Sequence, residues 1–332
     1  MKILFTFFRF YNLYGDKRLK SRGDYMLLLT IINNSHKDYV LNEIRNIITY
    51  LEDKELELRC EVDEEDGCQL VEIYGEISRN SEANVRVFQY YIATILYKVA
   101  VKEFLDGKIN KHLNEAYNFL NYKDISIVED VVHKVLNEEV AIDETMIFCM
   151  NRKNDALQKI MVCLSEVEEL NVKGFLDFRS KDLNKDIISM VEKIVEKYMI
   201  EKEYNEFINL LKYFVEVQDC KLERVDLFIG KSGDDYTLKD DEGNDMMESL
   251  LNDLCENKTM GEISKDDLII SGLITTCPHK IVIHSSERCK NKELIKTIHN
   301  VFESRVEYCT GCNECNILNG FIKIPVDNNI NI

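Results

Sequence analysis

Apolar and polar positions follow two different periods along the chain, and the period changes twice. Residues 27–32 form a short continuous apolar run, Leu27-Leu28-Leu29-Thr30-Ile31-Ile32, of the length a buried strand needs. Val40, Ile44, Ile47, Ile48 and Leu51 then recur at three- and four-residue spacing, as on one face of a helix. Leu56, Leu58, Cys60 and Val62 alternate with charged residues, 63–67 makes an acidic turn ending in Gly67, and 69–74 returns as a second strand. Residues 26–80 thus read as a small β-α-β-β unit, too short to bury much apolar surface alone.

From 81 to 220 the period is helical. One stripe holds Phe88, Tyr91, Ile92, Ile95, Leu96 and Val99, a second Val128, Val131, Val132 and Val135, and a third Leu157, Ile160, Met161, Leu164 and Val167. The clearest joins Ile187, Val191, Ile194, Val195 and Tyr198; after a short break the pattern resumes at Tyr204, Phe207, Ile208, Leu211 and Phe214. Aromatic residues at this spacing read as core rather than as a ligand box.

Residues 221–318 read as an α/β unit. Val225, Leu227 and Ile229, then Tyr236 and Leu238, flank Gly230-Lys231-Ser232-Gly233 as in a hairpin. Ser264-Lys265-Asp266-Asp267 is a capping-box pattern ahead of the apolar Leu268, Ile269, Leu273 and Ile274, and Pro278 ends that helix. The run 280–284 reads as a buried strand, Leu294, Ile295, Ile298, Val301 and Phe302 as a helix, and 305–309 as a strand. This is a β-α-β crossover, which makes its two strands parallel. Residues 319–332 read as a frayed tail. The fold class expected is helix-rich α+β.

Composition narrows the function classes. The chain has 332 residues, with 60 acidic against 42 basic side chains and a net charge of −18. Such a field repels phosphate backbones and makes a nucleic-acid partner an unfavourable reading; Lys280, Arg288, Lys290, Lys292 and Lys296 form the only candidate basic cluster. No window reaches the ~18 apolar residues of a membrane span. Eleven cysteines, an odd number spread along the chain, read as reduced thiols of a cytoplasmic protein. Residues 1–25 differ from the rest, with six basic and two acidic residues among seven aromatics. Arg22-Gly23-Asp24 can be encoded by a purine-rich stretch like a ribosome-binding site, just ahead of Met26. The expectation is that 1–25 is a non-native extension and Met26 the natural start.

Three sets of segments then point to a known family: Gly174-Phe175-Leu176-Asp177-Phe178-Arg179; residues 201–208 (EKEYNEFI) with 211–215 (LKYFV); and Asp267-Leu268-Ile269-Ile270-Ser271 with Pro278 and 281–284 (IVIH). Together, across residues 145–315, they resemble the sporulation protein YtxC family of endospore-forming bacteria. The resemblance implies a cytoplasmic protein tied to spore formation. It implies no reaction and supplies no catalytic residues.

The residues themselves offer three constellations. Cys309, Cys312 and Cys315 form a C-x2-C-x2-C run in which Gly311 permits a tight turn. Thiolates at this spacing bind zinc or a corner of an iron–sulfur cluster. The fourth cysteine of a bacterial ferredoxin run is missing, since position 319 is Asn319, so Cys289 or His284 is the expected fourth ligand; His279 and His299 are the other nearby histidines. A C-x-x-C redox pair, Cys309/Cys312, is a weaker reading because no helix pattern follows. The second constellation is His284 with Ser285, Ser286, Glu287 and Arg288 at a strand end, where a phosphate ligand and an enzyme would fit, although no glycine-rich phosphate loop is present. The third is the pair of acidic turns, which fail as calcium loops: with Gly243 sixth, Leu238 is first and Ser249 twelfth; Val62 and Ile73 spoil the other. His112 and His133 have no metal-spaced partner. The expected function is therefore a binding or regulatory component with protein partners, and the metal-binding and phosphate-enzyme readings stand as alternatives.

Overall fold

The computed structural model describes residues 21–22, 24–52, 57–65, 67–76, 82–250 and 264–315. Most of the extension assigned to 1–25, as far as residue 20, and the whole tail 319–332 lie outside them. The protein is helix-rich α+β with two small mixed sheets, and it divides into two compact units, Met1–Met199 and Ile200–Ile332.

The first unit comprises β1 (Ser21–Arg22), β2 (Tyr25–Asn33), α1 (Lys37–Glu52), β3 (Leu58–Glu65), β4 (Cys68–Glu76), α2 (Glu82–Gly107), α3 (Ile109–Ala116), α4 (Tyr122–Leu136), α5 (Glu144–Leu164) and β5 (Glu169–Asn171). Its sheet runs β1-β2-β4-β3 with antiparallel neighbours, and β5 adds to β2 in parallel. The expected α1 stripe is buried at Val40, Ile44 and Leu51. Helix α2 buries residues on nearly all sides, Phe88, Ile92, Leu96, Val99 and Phe104 among them, as the central element of a core must. Helices α4 and α5 start where short polar side chains meet free backbone donors: Asn121 accepts from Asp124 N, and Asp143 from Met146 N.

Two expectations fail here. Val167 was placed on the α5 stripe, but the helix ends at Leu164 and Val167 is exposed. Beyond it comes β5, three residues long with only Leu170 buried, too short to show a period. Next, α6 (Val172–Val217) is one continuous helix of 46 residues rather than two with a break. No glycine or proline occurs between 175 and 217, so nothing local interrupts it. Residues Ile187, Met190, Val191, Ile194 and Val195 join the first core. Of the later stripe, Ile208 and Leu211 are buried with Val215, while Phe207 and Phe214 face outward; the packed positions fall three and four apart, which turns 207 and 214 to the adjoining side.

In the second unit follow β6 (Arg224–Ile229), β7 (Tyr236–Lys239), α7 (Lys265–Thr276), β8 (Lys280–His284), α8 (Lys292–Phe302) and β9 (Val306–Tyr308). The sheet order is β7-β6-β8-β9: β6/β7 is the antiparallel hairpin, and β6, β8 and β9 are parallel. The capping pattern works as expected, with Ser264 accepting from Asp267 N, and Cys277 closes α7 in the left-handed conformation just before Pro278. One sheet face (Val225, Leu227, Ile229, Leu238, Ile281, Ile283) packs against Ile269, Leu273, Leu294, Ile298 and Phe302 of α7 and α8. Burying each such side chain fully contributes roughly 1.5–3 kcal/mol. Among the described residues no helix is long and apolar enough to cross a membrane.

Candidate metal centre

The face of this sheet turned away from the second unit's apolar cluster carries a different set of side chains. Every second residue of β6 on that face is polar or aromatic: Arg224, Asp226, Phe228. The parallel register sets Phe228 beside His284 of β8, and their rings stack at 4.0 Å with 15° between planes. His284 is 4% exposed, so both ring nitrogens need partners. Nε2 lies 2.8 Å from Asp226 Oδ1, and Arg224 donates to the same carboxylate through Nε at 2.9 Å and Nη2 at 2.6 Å. Burial raises the Asp226 carboxyl, but the hydrogen bonds from Arg224 and His284 outweigh burial and hold it below the usual range. An ionised Asp226 assigns the proton to His284 Nε2 and leaves Nδ1 with a free lone pair.

Nδ1 faces the thiols. After β9 the chain turns back across the strand ends, with Cys309 N donating to Ile283 O at 2.9 Å. Gly311 adopts φ 123°, a region that side-chain-bearing residues avoid. Its N–H points to Cys309 Sγ at 3.4 Å, and Cys315 N to Cys312 Sγ at 3.5 Å. Cys312 Sγ and Cys315 Sγ each lie 3.5 Å from His284 Nδ1, and Cys315 Sγ lies 4.0 Å from Cys309 Sγ. All four donor atoms fall within 4.8 Å of one another. Glu314 reaches Lys239 of β7 at 3.4 Å, and Lys239 Nζ sits 4.8 Å above the Phe228 ring, so the cysteine loop is tied to the far side of the sheet as well. Burial pushes the Cys312 thiol up, yet the Cys315 N–H and the Cys315 and Cys309 thiols more than offset it and set Cys312 below the ordinary thiol value. Cys315 is raised, chiefly by burial.

The donor set fits zinc. Bonds of about 2.3 Å to sulfur give a tetrahedron with edges of about 3.8 Å, close to the spacings here. An iron–sulfur cluster interposes several iron and sulfide atoms and needs its thiolates farther apart. A carboxylate hydrogen-bonded to the remote nitrogen of a histidine ligand is the arrangement that fixes its tautomer and raises its basicity.

The other sequence candidates stand elsewhere. Cys289 is buried with its sulfur 3.2 Å from Asn291 O and 3.7 Å from the Tyr236 hydroxyl, outside the cluster. His279 precedes β8 at its opposite end, and the His299 ring pairs with Tyr308 at 6.4 Å. In the phosphate reading, His284 spends both nitrogens on Asp226 and the thiols, and Lys292 turns to the carbonyls of Ser286 and Glu287. In the basic cluster Lys280 pairs with Glu307 at 2.8 Å and Lys290 with Asp234 at 3.0 Å, while Arg288 lies 4.0 Å from Glu287 with its Nη1 buried and without a hydrogen-bond partner among the described residues. Asp240 of the acidic turn accepts from Glu242 N and Asn244 N, which makes a self-bonded loop. Asp226 and Arg224 were not anticipated; the signal was a lone acidic residue in the otherwise apolar strand 225–229.

Comparison with known proteins adds a family. The chain is 21% identical over 220 residues to "Uncharacterized protein YtxC" of Bacillus subtilis (strain 168), covering 65% of this chain and 76% of that protein. No solved structure matches it. The model of the YtxC-like family matches residues 90–307, a stretch that contains Arg224, Asp226 and His284 and stops two residues short of Cys309. With well over half of its 332 residues so matched, the chain belongs to the YtxC-like family.

Proposed function

We propose that this protein binds one zinc ion through Cys309, Cys312, Cys315 and His284 Nδ1, and that the metal clamps segment 309–315 to the strand ends of the second unit. The observation carrying this reading is the convergence of four soft donors within 4.8 Å, with an ionised carboxylate behind the single histidine. Four protein ligands make a closed set, which leaves no coordination position for substrate or activated water; the centre is structural, in keeping with a binding or regulatory component. A cytoplasmic setting is supported by the free thiols, and a role in spore formation by the family resemblance. A protein partner is supported by Phe207, Leu210, Tyr213 and Val217 of α6, each more than half exposed.

The test is element analysis with absorption spectra of the full chain purified without oxygen. One zinc per chain and a colourless protein are expected, with zinc lost in Cys312→Ser and in His284→Ala. Metal-free protein with the same hydrogen-exchange protection over 309–315 overturns the reading. Iron with acid-labile sulfide overturns the zinc assignment and puts a cluster there instead.

A further inference from the structure

A second pair of sulfurs lies in contact away from the metal centre. Cys220 follows the end of α6, Cys277 caps α7, and their Sγ atoms are 3.8 Å apart. The backbone holds them there: Lys221 N donates to Thr276 O at 3.1 Å, and His279 N to Leu222 O at 3.0 Å. The two segments therefore run side by side at residues flanking both cysteines. Arg305 completes the group. Its Nη1 lies 3.5 Å from Cys220 Sγ and 3.3 Å from Cys277 Sγ, and it donates to Pro278 O at 3.2 Å. A guanidinium has no neutral form at ordinary pH, and thiolates form beside such a cation. Cys220 is half-buried and reachable from solvent, whereas Cys277 is buried.

We propose that Cys220 and Cys277 are a reversible dithiol/disulfide pair that exchanges with low-molecular-weight disulfides, with Arg305 steadying the reacting thiolate. Cys220 gives its proton to water and attacks one sulfur of the small disulfide; one half of the reagent stays bonded to Cys220, and the other leaves as a thiolate that takes up a proton. Cys277 then loses its proton, bonds to Cys220 Sγ and expels the second half as a thiol. Two protein thiols are oxidised and one small disulfide is reduced to two thiols. The flanking backbone bonds hold the sulfurs 3.8 Å apart, and the disulfide closes them to about 2.05 Å. The product ties the end of α6 to the cap of α7. Burial and then the contact with Cys277 hold the Cys220 thiol above its ordinary value, with Arg305 pulling it down, so exchange accelerates as the pH rises.

The experiment treats the full, metal-loaded chain with oxidised glutathione, quenches by alkylation and maps the peptides by mass spectrometry. A 220–277 cross-linked peptide, about 2 Da lighter than its two thiol parts, is expected ahead of any other pair. Cys277→Ser should stop at a persistent glutathione adduct on Cys220. Arg305→Gln should slow the exchange about tenfold and move its pH profile upward, the shift of roughly one pKa unit that loss of an adjacent cation brings. Free Cys220 and Cys277 under conditions that oxidise other thiols, a persistent adduct on Cys220 in the unaltered chain, or cross-links formed first among Cys309, Cys312 and Cys315 would each overturn the proposal.

Discussion

Asp226→Asn isolates the group behind the histidine proposed to bind zinc. In the native chain the Asp226 carboxylate accepts from His284 Nε2 at 2.8 Å while Arg224 grips it through two nitrogens. The amide keeps the shape and one acceptor oxygen. It removes the charge that fixes the Nε2–H tautomer and so turns the Nδ1 lone pair toward the thiols. Loss of such a partner typically costs 10–100-fold in metal affinity, or about 1.4–2.8 kcal/mol at 1.4 kcal/mol per tenfold. The upper half of that range is expected, because the Asp226 side chain is only 15% exposed and solvent screens it poorly. The assay is competition for zinc against a metallochromic chelator, run on both proteins at one pH and ionic strength. Thermal unfolding of the metal-free forms separates a change in affinity from a change in fold. Zinc affinity within twofold of the native value, in a variant that folds normally, would refute the Nδ1 assignment; the stacking on Phe228 would then be enough to orient the ring.

Three further outcomes follow from the packing and the caps. Asp143→Ala removes the α5 N-cap and should cost about 1 kcal/mol in denaturant unfolding at neutral pH. Because Lys197 first and Met146 N second hold the Asp143 carboxyl below its ordinary value, this contribution is complete above the unfolded pKa of about 3.9 and fades as the pH falls through the folded one, where native and variant converge. Ile298→Ala opens space in a fully buried position of the second core and should cost about 2–5 kcal/mol by the same measurement. Stripping metal with a strong chelator should raise amide hydrogen exchange across 309–315 while leaving β6 and α8, packed in their own apolar core, protected.

Much of this architecture was legible because it rests on period. The strand at 27–32, the stripe from Val40 to Leu51, the crossover between β8 and β9 and the Ser264 cap all follow from spacing that local physics enforces. Period has limits that the same chain displays. A strand as short as β5 has no room to alternate, and it exists only because β2 offers it an edge. The resumption after Tyr198 looked like a new helix because Glu201, Lys202 and Glu203 interrupt the apolar stripe, but charged residues are good helix formers and interrupt nothing in the backbone. At the candidate metal centre, three cysteines with two residues between neighbours declare themselves, and His284 is one of two candidates that the sequence offers for the fourth donor. What decides between it and Cys289 is register. The parallel pairing of β6 with β8 turns the His284 ring onto Phe228 and Asp226, while Cys289 follows a 3-10 turn into the core. Register across strands far apart in sequence is set by tertiary packing, which spacing along one strand does not encode.

The proposed centre lies on the sheet face opposite α7 and α8. Parallel strands are ordinarily covered on both faces, and among the described residues the helices α7 and α8 cover one. On the other face Phe228, Val282 and His284 are nonetheless buried, with Arg224, Asp226 and Lys239 around them engaged in ion pairs and a ring contact. A seven-residue segment, 309–315, offers little apolar area with which to hold itself there: its hydrophobic anchor is the buried Cys315, and its ion pair, Glu314 with Lys239, is more than half exposed on the acidic side and so worth at most about 1 kcal/mol. Ordering seven residues costs more than that, at roughly 1–2 kcal/mol of backbone entropy each. Structural zinc sites supply apparent binding free energies on the order of 10–16 kcal/mol, enough to offset such a cost. In the proposed zinc-bound form, a metal on His284 and three sulfurs does for the second face what a packed helix does for the first, with His284 inside the family match and the three cysteines beyond its end.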